Sequence, residues 1–169
     1  MVQIRHRNAA DMAALEALAR EVHRVDGYPP YLPHDDFVGF LDYAGAIASW
    51  VAVIDERVVG QISLHQTSSR QVMALAAERL DRATVELAVV ARLLVDHGHR
   101  RSGVARSLLS GAVDAAVKQG RVPILDVVDR FAAAIALYEH EGWMRLGTVT
   151  IDLPDGSNVT EHVYTWPRS

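Results

Sequence analysis

Arg92-Leu93-Leu94-Val95-Asp96-His97-Gly98-His99-Arg100-Arg101-Ser102-Gly103-Val104-Ala105-Arg106 is the stretch whose reading decides the architecture of this chain. It begins in an apolar, β-branched run, residues 85–95, that reads as a central strand. The run is long for one strand, which points to a bulge or bend inside it. A polar, basic turn follows. Beyond it Val104, Leu108, Leu109, Ala112, Val113, Ala116 and Val117 recur at helical spacing, and Gly120 ends the helix. A buried strand therefore feeds directly into an amphipathic helix.

The turn between them has the composition of an anion site. The first turn of a helix presents N–H groups with no intrahelical partner, and the macrodipole makes that end positive. Arg100, Arg101 and Arg106 add formal charge, while Gly103 and Ala105 let an anion approach the backbone closely, as a pyrophosphate requires. The same residues also suit an ordinary turn with solvated arginines. Rival phosphate motifs fail on inspection. Gly98 and Gly103 have P-loop spacing, but Val104-Ala105 stand where Lys and Ser or Thr belong. No strand-to-helix junction carries a dinucleotide GxGxxG or a GxSxG nucleophile elbow.

Outward from this stretch, Val2, Ile4 and His6 alternate with polar neighbours as in a first strand. Asn8 can cap a helix carrying Met12, Leu15, Leu18, Ala19 and Val22. Residues 26–33 form a loop stiffened by three prolines, and Asp35 or Asp36 can cap a short helix through Phe37, Phe40 and Leu41. Residues 50–54 and 58–64 read as strands about a tight turn at 55–57, and residues 71–80 as a helix inserted before the central strand. Downstream come a buried strand at 122–128, a helix at 132–140 closed by Gly142, and a hairpin of residues 143–153 and 159–166 around Asp155-Gly156. The order predicts an α+β fold, a mixed sheet of about seven strands with helices on its faces, in a single domain over residues 1–169.

Composition narrows the function. Half of the 169 residues are hydrophobic and the formal net charge is -4, the balance of a globular protein with little affinity for nucleic acid. The absence of cysteine excludes a disulfide scaffold, a thiolate metal site and a cysteine nucleophile. No signal core or membrane-length apolar run is visible, so a cytoplasmic location and no membrane partner are expected.

Two motifs together resemble the GNAT superfamily of N-acetyltransferases. Arg100-Arg101-Ser102-Gly103-Val104-Ala105 matches that family's R/Q-x-x-G-x-G/A turn, and Arg92-Leu93-Leu94-Val95 resembles the end of its fourth strand. About thirty residues later, Leu125-Asp126-Val127-Val128 resembles the fifth strand, and residues 134–143, with Leu137-Tyr138-Glu139 and Gly142-Trp143, look like its A-x-x-L-Y-E-x-x-G-F/W helix and turn. The resemblance implies acetyl-CoA as co-substrate. It implies pantetheine contacts near Leu93, Leu94 and Val95, and pyrophosphate on residues 100–106: Arg100, Arg101, Ser102, Gly103, Val104, Ala105 and Arg106. Val95 N–H would polarise the thioester carbonyl. Tyr138 would be the acid that protonates the departing sulfur, as a phenol can; the residues alone, without the resemblance, favour a packed core tyrosine. Where the family often has a cofactor-binding asparagine, this chain has Phe131, which would pack on pantetheine instead.

Other roles stay open in the sequence. Glu86 stands near the start of the central strand and could deprotonate the amine, or pair with Arg92 on the same face. Tyr28 and Tyr31 lie where the family's acceptor loop falls and could contact the acceptor, or merely cap the core; Asp35, Asp36, Asp42 and His65 could line the same pocket. His97 and His99 lack a third ligand, so no metal site is expected. The implied activity is transfer of acetyl from acetyl-CoA to a small-molecule or peptide amine by direct attack in a ternary complex, since no cysteine can carry the acyl group. A non-catalytic CoA-binding sensor on the same fold is the alternative. A homodimer through the edge of the C-terminal hairpin is compatible with either.

Overall fold

The computed structural model describes residues 1–167. In chain order it contains β1 (Gln3–His6), α1 (Met12–Asp26), α2 (Phe37–Leu41), β2 (Ala46–Ile54), β3 (Arg57–His65), α3 (Arg70–Leu80), β4 (Leu87–Val95), α4 (Val104–Lys118), β5 (Val122–Val128), α5 (Ala132–His140), β6 (Met144–Asp152) and β7 (Asn158–Thr165). The seven strands form one mixed sheet in the order β1-β2-β3-β4-β5-β7-β6. β4 and β5 run parallel, while β1–β2, β5–β7 and β6–β7 are antiparallel. The mixed α+β sheet read from the sequence is therefore the observed one. No described helix is long and apolar enough to cross a membrane.

The chain divides into two compact units, Met1–Leu64 with Arg92–Ala112, and His65–Ala91 with the residues from Val113 onward. In the first, Asn8 Oδ1 accepts the Ala10 N–H at 2.9 Å, and the Asp11 carboxylate returns the favour to Asn8 N–H at 2.8 Å. The buried Asp11 is also gripped by both Nη atoms of Arg5, at 2.7 and 2.8 Å. That pairing holds its carboxyl below the usual range although burial alone would raise it. Leu15, Leu18, Ala19 and Val22 then form the buried stripe of α1, set against Phe37, Phe40 and Leu41 of α2 and against Val51 and Leu94. A leucine as fully buried as Leu15 contributes about 2 kcal/mol. Gly27, at φ 72°, ends α1 in the left-handed conformation that glycine adopts without cost. The turn between β2 and β3 uses Asp55 and Glu56 at φ 47° and 62°, the paired positive values of a primed hairpin turn. β2 starts at Ala46, four residues before the strand visible in the sequence.

In the second unit α3 is no peripheral insertion. Its Val72, Met73 and Ala76 are buried with Leu87 and Val89 of β4, Val122 and Ile124 of β5 and Val163 of β7. The ladder between β4 and β5 pairs Leu87, Ala88 and Val89 with Val122, Pro123 and Ile124. β4 begins at Leu87 rather than Val85, because Thr84–Glu86 form a 3-10 turn that leaves Val85 76% exposed. The C-terminal strands pair as a hairpin, with a bulge between Arg145 and Gly147.

Candidate active site

The first unit holds the strand end and the basic turn. The bulge or bend expected in the long apolar run falls at Arg92, whose φ of 56° interrupts the extended backbone of β4. A non-glycine residue takes that conformation only where its surroundings enforce it. Here Gln61, fully buried on β3, donates Nε2–H to the Arg92 carbonyl at 2.8 Å. Arg92 Nε donates to the Phe40 carbonyl at 3.2 Å, and its guanidinium lies 4.3 Å from the centre of the Phe40 ring. Beyond the bulge Leu93 is half-buried, while the side chains of Leu94 and Val95 are buried, so only their backbone groups could meet a ligand.

The turn that follows is braced from inside. The His99 ring, 2.7 Å from Asp96 Oδ2, holds that carboxyl below its ordinary range against partial burial, with help from Gly98 N–H. Ser102 Oγ donates to the His99 carbonyl. Arg101 and Gly103 have φ of 60° and 85°, and α4 starts at Val104. The first bond of the helix is Ser107 N–H to Gly103 C=O at 3.0 Å, so the amides of Gly103, Val104 and Ala105 precede the intrahelical ladder. A Cβ on Gly103 would meet no protein atom within 4 Å. The glycine is therefore needed for its backbone conformation, and the space beside it is open to a ligand. Val104 itself is a core side chain.

Arg100, expected on the phosphate, grips Asp26 at the end of α1, Nη2 to Oδ2 at 2.5 Å. His97 reaches the same carboxylate at 3.3 Å. Burial would raise the Asp26 carboxyl, but Arg100 and His97 together hold it low. Both histidines of the turn are thus carboxylate partners. Among the described residues no group of three or more His, Asp or Glu is placed to hold a metal ion.

An open cavity of about 670 Å³ lies in the same unit, lined from α1, from residues 31–36, from α2 and by Arg92. Tyr31, Asp35 and Asp36 line it; Tyr28 packs in the core against Phe40, ring centres 5.8 Å apart. Asp36 Oδ1 accepts the Gly39 N–H as the cap of α2. Asp42 faces a smaller cavity and pairs with Arg7 at 3.1 Å.

The second unit holds Tyr138 on α5. Its half-buried ring makes an edge contact with Trp143 at 6.3 Å and a tilted one with Tyr164 at 6.4 Å. Trp143 N–H donates to the Tyr138 carbonyl at 3.0 Å across the turn of Gly142. Tyr164 is fixed in turn: its hydroxyl donates to Glu139 Oε1 at 2.7 Å and accepts from Arg145 Nη2 at 2.9 Å. Sequence reasoning missed this Tyr164–Glu139–Arg145 bracket, because its members lie on three elements with no shared motif. Phe131 stands at the N-cap of α5 and supplies no side-chain cap, and Arg130 lies 5.1 Å over its ring. Glu86 Oε2 accepts the Ala83 N–H at 2.8 Å, and its ion pair is with Arg82 at 3.5 Å rather than with Arg92. His65 is buried.

An acidic pair on the sheet is equally invisible to sequence motifs. Glu161 of β7 and Asp126 of β5 share one sheet face, since Asp126 is opposite Val163 and Val128 is opposite Glu161. Ser68 Oγ donates to Asp126 at 3.0 Å, whereas Glu161 Oε2 is buried with no donor to meet it. Burial, with the neighbouring Asp126 charge and the hydrogen bond between the two carboxyls, pushes Glu161 up to about 8. An aspartate inside the apolar run 124–128 was the one signal that could have revealed the pair.

The acetyltransferase (GNAT) family model matches residues 12–143 of the chain. Among solved structures, Arabidopsis thaliana NAA60 in complex with acetyl-CoA is similar with a TM-score of 0.73 at 20% identity, covering 98% of each chain. A ribosomal-protein-alanine N-acetyltransferase from Brucella melitensis is similar with a TM-score of 0.70 at 20% identity, covering 97% of this chain and 98% of that one. At such identities the likeness speaks for the fold. A comparison with curated proteins finds no match.

Proposed function

Because the chain belongs to the acetyltransferase (GNAT) family, we propose that it transfers an acetyl group from acetyl-CoA to an amine by direct attack in a ternary complex. The observation that carries this reading is the turn before α4, where Gly103 at φ 85° leaves open space beside amides that precede the helical ladder. Those amides and the exposed Arg101 suit a pyrophosphate. Arg100 acts in this reading by pinning the turn to Asp26. The backbone of Leu93, Leu94 and Val95, beyond the bend at Arg92, is given to pantetheine, and Val95 N–H to the thioester oxygen. Phe131, an aromatic side chain at the start of α5, is given to packing on the pantetheine arm.

In the reaction the neutral amine attacks the thioester carbonyl carbon. A C–N bond forms, the electron pair moves to the oxygen, and its return breaks the C–S bond. The sulfur leaves with a proton from the Tyr138 hydroxyl, which solvent then replenishes. The proton lost by the amine passes to Glu86, whose carboxylate keeps lone pairs free beside its Ala83 N–H bond, or directly to water. The acceptor class is a small-molecule or peptide amine, and Tyr31, which lines the open cavity, is the loop tyrosine given to it.

Calorimetric titration with acetyl-CoA and a thiol-release assay test this reading. Saturable binding is expected for the wild type and is abolished by Gly103→Glu, which fills the open space and strains a positive φ. Tyr138→Phe should keep acetyl-CoA affinity and lose about 10²-fold in kcat. Full turnover by that variant would remove Tyr138 from the mechanism. Absence of acetyl-CoA binding by the wild type would remove the acetyl-CoA reading altogether.

A further inference from the structure

The cavity lined by α1, residues 31–36, α2 and Arg92 has an uneven charge balance. Glu16 and Arg20, both on α1, neutralise each other at 2.7 Å, and Arg20 also stacks on Phe37 at 4.6 Å. Asp36 spends one oxygen on the cap of α2 and keeps its charge, which its exposure to water screens. Asp35 is exposed and therefore screened by water. Arg92 differs from all of these. It is half-buried, and among the described residues no carboxylate lies within ion-pair distance of it.

The contacts that Arg92 does make use particular parts of the guanidinium. Its Nε–H is spent on the Phe40 carbonyl. The rings of Phe40 at 4.3 Å and Tyr43 at 5.8 Å attract the cation. Such ring contacts engage the charge of the π-system and do not accept the in-plane N–H groups, so donors on the Nη atoms stay available. A partly desolvated guanidinium without a counter-ion is costly unless something supplies one. The backbone at Arg92 is also held at φ 56° by the buried Gln61, so the side chain leaves the strand from a fixed origin. A pre-positioned fork facing a cavity suits a planar oxyanion.

We infer that this cavity admits an acceptor amine that also carries a carboxylate, the amphoteric chemistry of a free amino acid, and that Arg92 binds the carboxylate. The inference rests on the acetyltransferase reading and names its substrate class. Arg92 lies on β4 three residues before Val95, so an acceptor held there is brought to the strand given to the thioester. A purely cationic acceptor would gain nothing from Arg92 and would turn to Asp35 instead.

The test compares free L-amino acids with their matching carboxamides. Each pair is offered to the full-length protein with acetyl-CoA in the thiol-release assay, and direct binding is followed by saturation-transfer NMR with and without CoA. The expected result is a preference of at least about tenfold in kcat/KM for the free acids of one side-chain class, as a charge-assisted pair would give. In Arg92→Gln that preference should fall to about one with acetyl-CoA affinity unchanged, and Arg92→Lys should keep part of it. Carboxamides that match or surpass the acids in the wild type overturn the inference, with no variant required. So does an acid preference that survives in a folded Arg92→Gln. If acetyl-CoA binds but no free acid is bound or acetylated, the carboxylate site is refuted while the acetyltransferase reading stands. If acetyl-CoA does not bind, that reading falls, and the NMR arm still decides whether Arg92 takes a carboxylate.

Discussion

Glu161 shows what a single residue can do to the stability profile. Its carboxyl is pushed up to about 8 in the fold by burial and by Asp126, from an ordinary value of 4.5. Between those two values the native state keeps a proton that the unfolded chain has released. Stability therefore falls as pH rises through that window and levels off above it. A glutamine at this position is neutral at every pH and can donate an amide hydrogen to Asp126, which the ionised glutamate cannot. Glu161→Gln should thus match the wild type at about pH 5 and exceed it increasingly up to about pH 8. Urea midpoints measured across that range check this; parallel curves for the two proteins would mean that Glu161 titrates normally.

At the scale of the element, β4 is built around the bend at Arg92. Gly60 on β3 lets the strand come close: a Cβ there would lie 2.8 Å from the Leu94 carbonyl oxygen, 3.1 Å from Leu108 Cδ1 and 3.3 Å from Val104 Cγ1. The nearest of these is backbone, so no rotamer change relieves it. Gly60→Ala should cost about 1–3 kcal/mol by overpacking, read from urea unfolding, and a loss under about 0.5 kcal/mol would show that β3 can simply shift. That bend was legible only indirectly, as an apolar run too long for one strand. Its position was not, because it depends on Gln61 reaching Arg92 across thirty-one residues. The same division recurs at the site. Val122–Val128 and Ala132–His140 were read correctly from local pattern. The start of β4 was not, because the Glu86 side chain closes a turn that periodicity cannot register. The Arg100 contact is likewise invisible to local pattern, because its partner Asp26 is seventy-four residues away.

For the whole molecule, hydrophobic period and turn chemistry gave the strand count and helix order, but not the insertion of β7 between β5 and β6. Strand order is a non-local choice, and nothing in β6 or β7 alone encodes it. The division into two units bears on cooperativity. β4 gives residues 87–91 to one unit and 92–95 to the other, and α4 is divided between 104–112 and 113–118. Melting one unit would cut a strand and a helix in mid-course, forfeiting the propagation that makes such elements stable. The two units should therefore unfold in one transition. Trp50 reports on the first unit, and Trp143 and Trp166 on the second. Trp50→Phe and a Trp143→Phe/Trp166→Phe double variant isolate these reporters. In each variant the urea transition seen by fluorescence is compared with that seen by circular dichroism, so that stability changes from the substitution itself cancel. Coincident midpoints in both variants are expected. A fluorescence midpoint displaced from circular dichroism by more than about 0.5 M urea in either variant would show that one unit melts first, and that the continuity of β4 and α4 is too weak to couple them.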